Sequence, residues 1–291
     1  LEVELEGIHF AYTLALELPP GFHELRVLEE GLTIDGKPKF TRQVERLHFS
    51  TTKESDDPMR FDWHSVWLSV AQARSEADPL ATFRKWLARM LIVRPYPEGI
   101  DGESSDETLN PLPDMSNFGD WWNGLITHSP SSYGRIDRAL KQWMPDLRDI
   151  KNPVIAKDSR SLEIHFDHEG SASVIPFRLL SDGEKCMAVW ALVMAANEAY
   201  GPLFCFWDEP DNYLAISEIA DFATDLRKAF KARGQFLATS HNAETIKSFS
   251  DENTYVLYRR HHREPTQVRP LGEISYGKDL IGALVRGDIE P

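Results

Sequence analysis

The chain has only two cysteines in 291 residues, Cys186 and Cys205, and no CxxC. That excludes a disulfide framework and a cysteine-built zinc site, and it fits a reduced, cytoplasmic setting. No apolar run approaches the roughly 18 to 20 residues that span a bilayer, so no membrane partner is expected. No secretory leader pattern opens the chain. A basic excess is also missing: 32 Lys and Arg stand against 46 Asp and Glu, a formal net charge of −14. So acidic a chain is no general nucleic-acid binder, although a local basic patch can still serve. No heptad run is sustained, which excludes a long coiled-coil arm, and no internal repeat is visible. What the sequence does have is 42% hydrophobic residues, enough for a sizeable core. Its length suits one large domain or two small ones.

Leu1, Val3, Leu5, Ile8, Phe10, Tyr12, Leu14 and Leu16 alternate with other residues from the first position. This reads as the middle of a fold, and residues are expected before it. Residues 1–60 read as an antiparallel subdomain, with Asp35-Gly36 as a hairpin signal. Residues 61–150 read as a helical insertion. Helical spacing covers 62–95, an exposed loop rich in Pro, Gly, Ser and acids runs from Pro95 to Asn117, and helices return over 118–150. Residues 151–291 read as a C-terminal lobe. It begins with a hairpin turning at Glu169-Gly170. Helix then alternates with strand: helix 184–200, strand 203–207, helix 216–233, strand 235–239, helix 243–249 and strand 254–258. Such alternation implies a parallel sheet with right-handed crossovers. Gly234 is the expected cap at the end of its helix.

Three segments of this lobe can carry chemistry. In Leu180-Ser181-Asp182-Gly183-Glu184-Lys185, Ser181 and Glu184 form a capping box. The helix N-terminus behind them suits a phosphate, although a plain cap is the commoner meaning of Ser-x-x-Glu. Leu203-Phe204-Cys205-Phe206-Trp207 is a short buried strand ending in Asp208, Glu209 and Pro210. Carboxylates at that end lie where open α/β sheets bind ligands. One can hold Mg²⁺ and the other can polarise an attacking water; the plainer alternative is an acidic strand end. Phe236-Leu237-Ala238-Thr239 is a second buried strand, delivering Ser240 and His241 to the same edge. A lone histidine there is usually a surface residue. Order and spacing strengthen the functional reading: 25 residues separate Gly183 from Asp208, and 32 separate Glu209 from His241.

LSDGEK resembles the ABC signature loop, FCFWDEPDNYL resembles Walker B with its following D-loop, and LATSHN resembles the H-loop. Together they are similar to the ATPase heads of the SMC, RecF and OLD-like group, specifically over residues 162–258. The resemblance implies a P-loop NTPase-like fold, an α/β unit with a mostly parallel sheet. It implies ATP and Mg²⁺ as cofactors, with Asp208 at the metal, Glu209 as general base and His241 at the terminal phosphate. Ser181, Asp182, Gly183, Glu184 and Ser240 would contact nucleotide, the signature residues reaching ATP held by a second head. It therefore implies a homodimer closed around ATP. An effector protein and DNA are further candidate partners, in DNA repair, chromosome maintenance or phage defence. Arg259, Arg260, His261, His262 and Arg263 could touch DNA, with a solvated loop as the plainer reading. The sequence departs from the family at the D-loop aspartate, where Ala215 stands, and at Trp207, which is bulkier than usual.

A phosphate-binding loop of the form G-x-x-x-x-G-K followed by Ser or Thr is missing. Gly31 to Lys37 ends in Pro38 and sits in a hairpin. Gly272 to Lys278 ends in Asp279 and follows the H-loop, against family order. Both read as coincidences. The phosphate loop is expected upstream of Leu1. The alternative function is a non-hydrolysing structural or ATP-gated scaffold subunit for a separate effector.

Overall fold

A computed structural model describes residues 1–50, 57–231, 233–249, 253–274 and 282–283. The chain divides into two compact units, Leu1–Ala88 and Arg89–Pro291. The division falls inside the stretch expected to form one helical insertion.

The first unit holds β1 (Glu2–Leu5), β2 (Ile8–Glu17), β3 (Arg26–Ile34), β4 (Lys37–Gln43), β5 (Arg46–Phe49) and β6 (Met59–Arg60). They form one antiparallel sheet in sequence order. Asp35 and Gly36 turn with φ of 47° and 73°, the paired positive values that a two-residue hairpin needs. Two helices follow, α1 (Trp67–Val70) and α2 (Pro79–Leu87). Helical spacing predicts one helical stretch over 62–95, but Trp63 lies outside both helices. Asp78 caps α2 by accepting the Leu80 N–H at 3.0 Å, and Pro79 fits only a first turn. Phe83 of α2 stacks on Phe10 of the sheet, with centroids 5.1 Å apart. Glu30 and Arg42 face one another across β3 and β4, both buried, at 3.4 Å. Glu30 also accepts the backbone N–H groups of Trp67 and Leu68 at 2.8 Å each, so this buried pair ties the start of α1 to the sheet.

The second unit opens on β7 (Leu91–Val93) and β8 (Glu103–Ser104), then α3 (Phe118–His128) and α4 (Ser132–Trp143). Next come β9 (Leu147–Lys151), β10 (Val154–Ala156), β11 (Ser159–Ser161), β12 (Glu163–His168) and β13 (Ser171–Pro176). The lobe ends with α5 (Asp182–Tyr200), β14 (Phe204–Asp208), α6 (Ile216–Lys231), β15 (Gln235–Thr239), α7 (Ala243–Lys247), β16 (Tyr255–Tyr258) and β17 (Gln267–Pro270). The β12–β13 hairpin turns at Glu169 and Gly170, as its sequence indicates. Gly234 has φ of 87°, and a Cβ there would meet the Leu203 carbonyl at 2.7 Å, so both conformation and space require glycine.

The expectation of a mostly parallel sheet needs correction. Among the described residues only β15, β14 and β7 run parallel, in that order, and the other sheets are antiparallel. The strand read at 254–258 pairs antiparallel with β17. Only residues 259–266 separate the two strands, too few for the crossover a parallel pair needs. The Pro95–Asn117 stretch has little regular structure, yet it is not simply exposed. Pro97, Ile100 and Met115 are buried, and the buried Lys185 ammonium donates to the Pro97 carbonyl at 2.9 Å.

The core of the second unit gathers around α5, which is apolar nearly all round because it is covered on most sides. Trp190 of α5 lies 4.9 Å from Phe222 of α6 and 6.0 Å from both Trp207 and Phe236, by ring centroids. These contacts place α5 and α6 on the sheet face that carries Cys205, Trp207 and Phe236. In register on the opposite face lie Ile92, Phe206 and Leu237. Ile92 is 57% exposed and Leu237 50%.

Candidate functional site at the carboxyl rim of the parallel sheet

Alternation places Asp208 on the rim. The buried Cys205 and Trp207 commit one side of β14 to the core, so Phe204, Phe206 and Asp208 point the other way. Register brings the neighbours in. Asp208 is paired with Thr239, and Trp207 with Val93, so Arg94 leaves β7 beside Asp208.

The two oxygens of Asp208 are divided. Oδ1 accepts the Thr239 hydroxyl at 2.5 Å, and Oδ2 faces Arg94 Nε at 3.5 Å. Thr239 Oγ1 also accepts the Glu209 N–H at 3.0 Å. Glu209 takes φ of 51°, a left-handed conformation that costs a non-glycine residue about 1–3 kcal/mol. The following turn holds it there. Asn212 Nδ2 donates to Glu209 Oε2 at 2.5 Å, and His241 Nε2 lies 3.3 Å from Oε1. The His241 side chain is 92% exposed.

Ser240 points elsewhere than its neighbour. Its hydroxyl donates to the buried Asp211 carboxylate at 2.6 Å, and Thr245 donates to the same oxygen. Asp211 therefore joins the turn after β14 to the start of α7. The rim borders a cleft of about 550 Å³ lined by Arg94, Tyr96, Cys186, Asp208, Glu209 and Tyr213, among others. Burial pushes the Cys186 thiol up to about 12, which leaves it protonated and unreactive at neutral pH.

The signature-like segment forms the start of α5. Ser181 Oγ accepts the Glu184 N–H at 3.3 Å, and Glu184 Oε2 accepts the Ser181 N–H at 2.8 Å, a complete capping box. Asp182 adds a second carboxylate to that first turn. A Cβ on Gly183 would lie 2.9 Å from the Tyr213 carbonyl, so the glycine lets the turn after β14 approach α5. Of this segment's surroundings, Cys186 reaches the cleft, while Ser181 and Glu184 are engaged with one another.

The rim thus brings together Asp208, Glu209 and His241. Sequence reasoning did not single out Arg94, Asp211, Asn212 or Thr239. Arg94 was hidden because the three-residue β7 sits inside an apolar pattern with helical spacing. Asp211 and Asn212 were available in the segment after Pro210, and Thr239 in the strand before Ser240. Of the two near-matches to a phosphate loop, Gly31 to Lys37 runs from β3 through the Asp35-Gly36 turn into β4. Gly277 and Lys278 lie outside the described residues.

The donor chemistry fits Mg²⁺, which keeps several waters and takes one or two carboxylates plus phosphate oxygens. Asp208, with Oδ1 held by the Thr239 hydroxyl, offers one such carboxylate. Among the described residues no group of three or more His, Cys, Asp or Glu forms a closed metal cage.

Fold and rim define an α/β unit with an acidic, histidine-bearing edge at the carboxyl ends of parallel strands. No protein-family model and no curated protein matches the chain. Among solved structures it is similar to an Smc head domain with a coiled coil and joint derived from Pyrococcus yayanosii. That match has 15% identity and a TM-score of 0.42, over 58% of this chain and 31% of that one. It is also similar to the SMC head domain from Thermotoga maritima, at 16% identity and a TM-score of 0.35, over 91% and 74%. An SmcHead bound to the C-winged helix domain of ScpA gives 11% and 0.43, again over 91% and 74%. The chain thus spans about a third of the first of these. Similarity at this level assigns neither fold nor chemistry. Among the described residues no helix is long and apolar enough to cross a membrane.

Proposed function

We propose that this rim is the hydrolytic side of an ATP-binding head that closes against a second copy. The observation that carries the reading is the convergence of Asp208, Glu209 and His241 on one sheet edge, with Glu209 fixed between Asn212 and His241. In this reading Asp208 holds Mg²⁺ while the Thr239 hydroxyl positions its carboxylate, and the ion supplies charge neutralisation at the phosphates. Glu209 orients the attacking water and takes its proton. His241 is exposed and adjacent, suited to a terminal phosphate oxygen. The start of α5, with Ser181, Asp182, Gly183 and Glu184, meets the nucleotide of the second copy. Its capping box takes the Ser181 and Glu184 N–H groups, and those of Asp182 and Gly183 in the same first turn face the contact.

This reading calls for a phosphate cradle, a strand–loop–helix unit paired to β15. Parallel strands are ordinarily covered on both faces, and among the described residues Ile92 and Leu237 leave this apolar face partly exposed. A strand beside β15 would deliver its loop to the Asp208 rim.

The test is mass by light scattering with and without ATP, on the complete protein. Wild type should shift from one copy to two with ATP, and Ser181→Arg should stay at one. A shift that survives Ser181→Arg would overturn the paired-head reading.

A further inference from the structure

We infer that Arg94 is the resident counter-ion of Asp208, competing with a divalent cation for that carboxylate and freed toward polyphosphate once the cation is bound. The inference rests on the reading of the rim given above. Its basis is how Asp208 is shared. Oδ1 is taken by the Thr239 hydroxyl at 2.5 Å, which leaves Oδ2, and the Arg94 guanidinium stands 3.5 Å from it. A cation binding through Oδ2 competes with that guanidinium for the same oxygen.

Arg94 is built for the exchange. Its backbone is anchored, with its N–H donating to the Pro113 carbonyl at 2.7 Å. Tyr96 is held in the same way by the Asp114 carbonyl at 3.0 Å. The Arg94 side chain is meanwhile 80% exposed, so the guanidinium moves without disturbing the core. The same cleft receives both ends of that motion, since Arg94, Asp208 and Glu209 all line it. A planar guanidinium released there pairs readily with phosphate oxygens. Arg94 thus neutralises Asp208 while the site awaits nucleotide, and it adds a positive charge beside the phosphates afterwards.

A role confined to holding the loop would move every binding constant in one direction. The exchange moves two of them in opposite directions. The experiment measures Mn²⁺ binding by electron paramagnetic resonance, with and without ATP, for wild type, Arg94→Ala, Arg94→Lys and Asp208→Asn. Arg94→Ala should tighten Mn²⁺ binding without nucleotide by about two- to fivefold, the scale of an exposed ion pair. It should weaken ATP binding in the presence of Mn²⁺ by about tenfold, the scale of a charge-assisted hydrogen bond. Arg94→Lys should restore most of both effects. Asp208→Asn should abolish Mn²⁺ binding in every background. Arg94→Ala leaving both constants unchanged, or shifting both the same way, overturns the inference while the metal assignment stands. Mn²⁺ binding that survives Asp208→Asn overturns the metal assignment, and the inference with it.

Discussion

The imidazole of His241 lies 3.3 Å from the Glu209 carboxylate, although the two residues belong to loops after different strands. Parallel pairing of β14 with β15 makes this meeting possible, because the two strands end level at Asp208 and Thr239. If His241 serves the terminal phosphate, His241→Ala should lower ATP turnover by roughly 100-fold while changing ATP affinity far less. Parallel measurement of turnover and of nucleotide binding checks this. Equal losses in both would make His241 a binding residue only.

Asp211 is buried and accepts hydroxyls from Ser240 and Thr245. Asp211→Ala leaves those hydroxyls without an acceptor, and a loss of about 2–3 kcal/mol is expected. Ser240→Ala should cost less, about 1 kcal/mol, because Thr245 still bonds to the carboxylate. Urea unfolding of the three proteins gives the ranking.

Glu30 and Arg42 form a fully buried pair in the first unit. Arg42 donates to the Ser65 and Asp62 carbonyls at 2.6 Å each, so its removal strands both the Glu30 charge and these acceptors. Arg42→Ala should destabilise the first unit by about 3–5 kcal/mol. Thermal unfolding followed by circular dichroism would show this as a lower transition for the first unit.

Tyr133 donates a short hydrogen bond to Asp149, and that bond holds the Asp149 carboxyl below the usual carboxylate range. A depressed carboxylate contributes stability above its unfolded pKa, near about 3.9. That contribution is lost as pH falls through the lower folded value. Tyr133→Phe should therefore cost about 1 kcal/mol at pH 6, discounting for partial exposure. The gap should narrow below about pH 3, as urea midpoints at the two pH values would reveal.

Much of the second unit was legible because its strands and helices carry distinct periods. β14 is a short apolar run ending in Asp208 and Glu209, β15 is one opened by Gly234, and α5 and α6 are long enough to declare themselves. The Asp35-Gly36 and Glu169-Gly170 turns were equally plain, since each needs paired positive φ. β7 was not legible. Leu91–Val93 continues the spacing of Trp86, Leu87 and Met90, and only pairing with β14 makes it a strand. The reversal of β16 onto β17 was missed for a similar reason, because a local alternation of residues does not reveal its partner. Within the site, the carboxylates and histidine stood out by type and position. Their supports did not, since Thr239, Asp211 and Asn212 act through contacts between separate loops.

The central claim is that Glu209 performs the chemical step at this rim. Its most direct test is steady-state ATP hydrolysis by the complete protein carrying Glu209→Gln, which keeps the side chain's size and removes its basicity. Turnover should fall by at least about 100-fold, with ATP still bound and the paired state accumulating. Turnover equal to that of wild type would contradict the assignment.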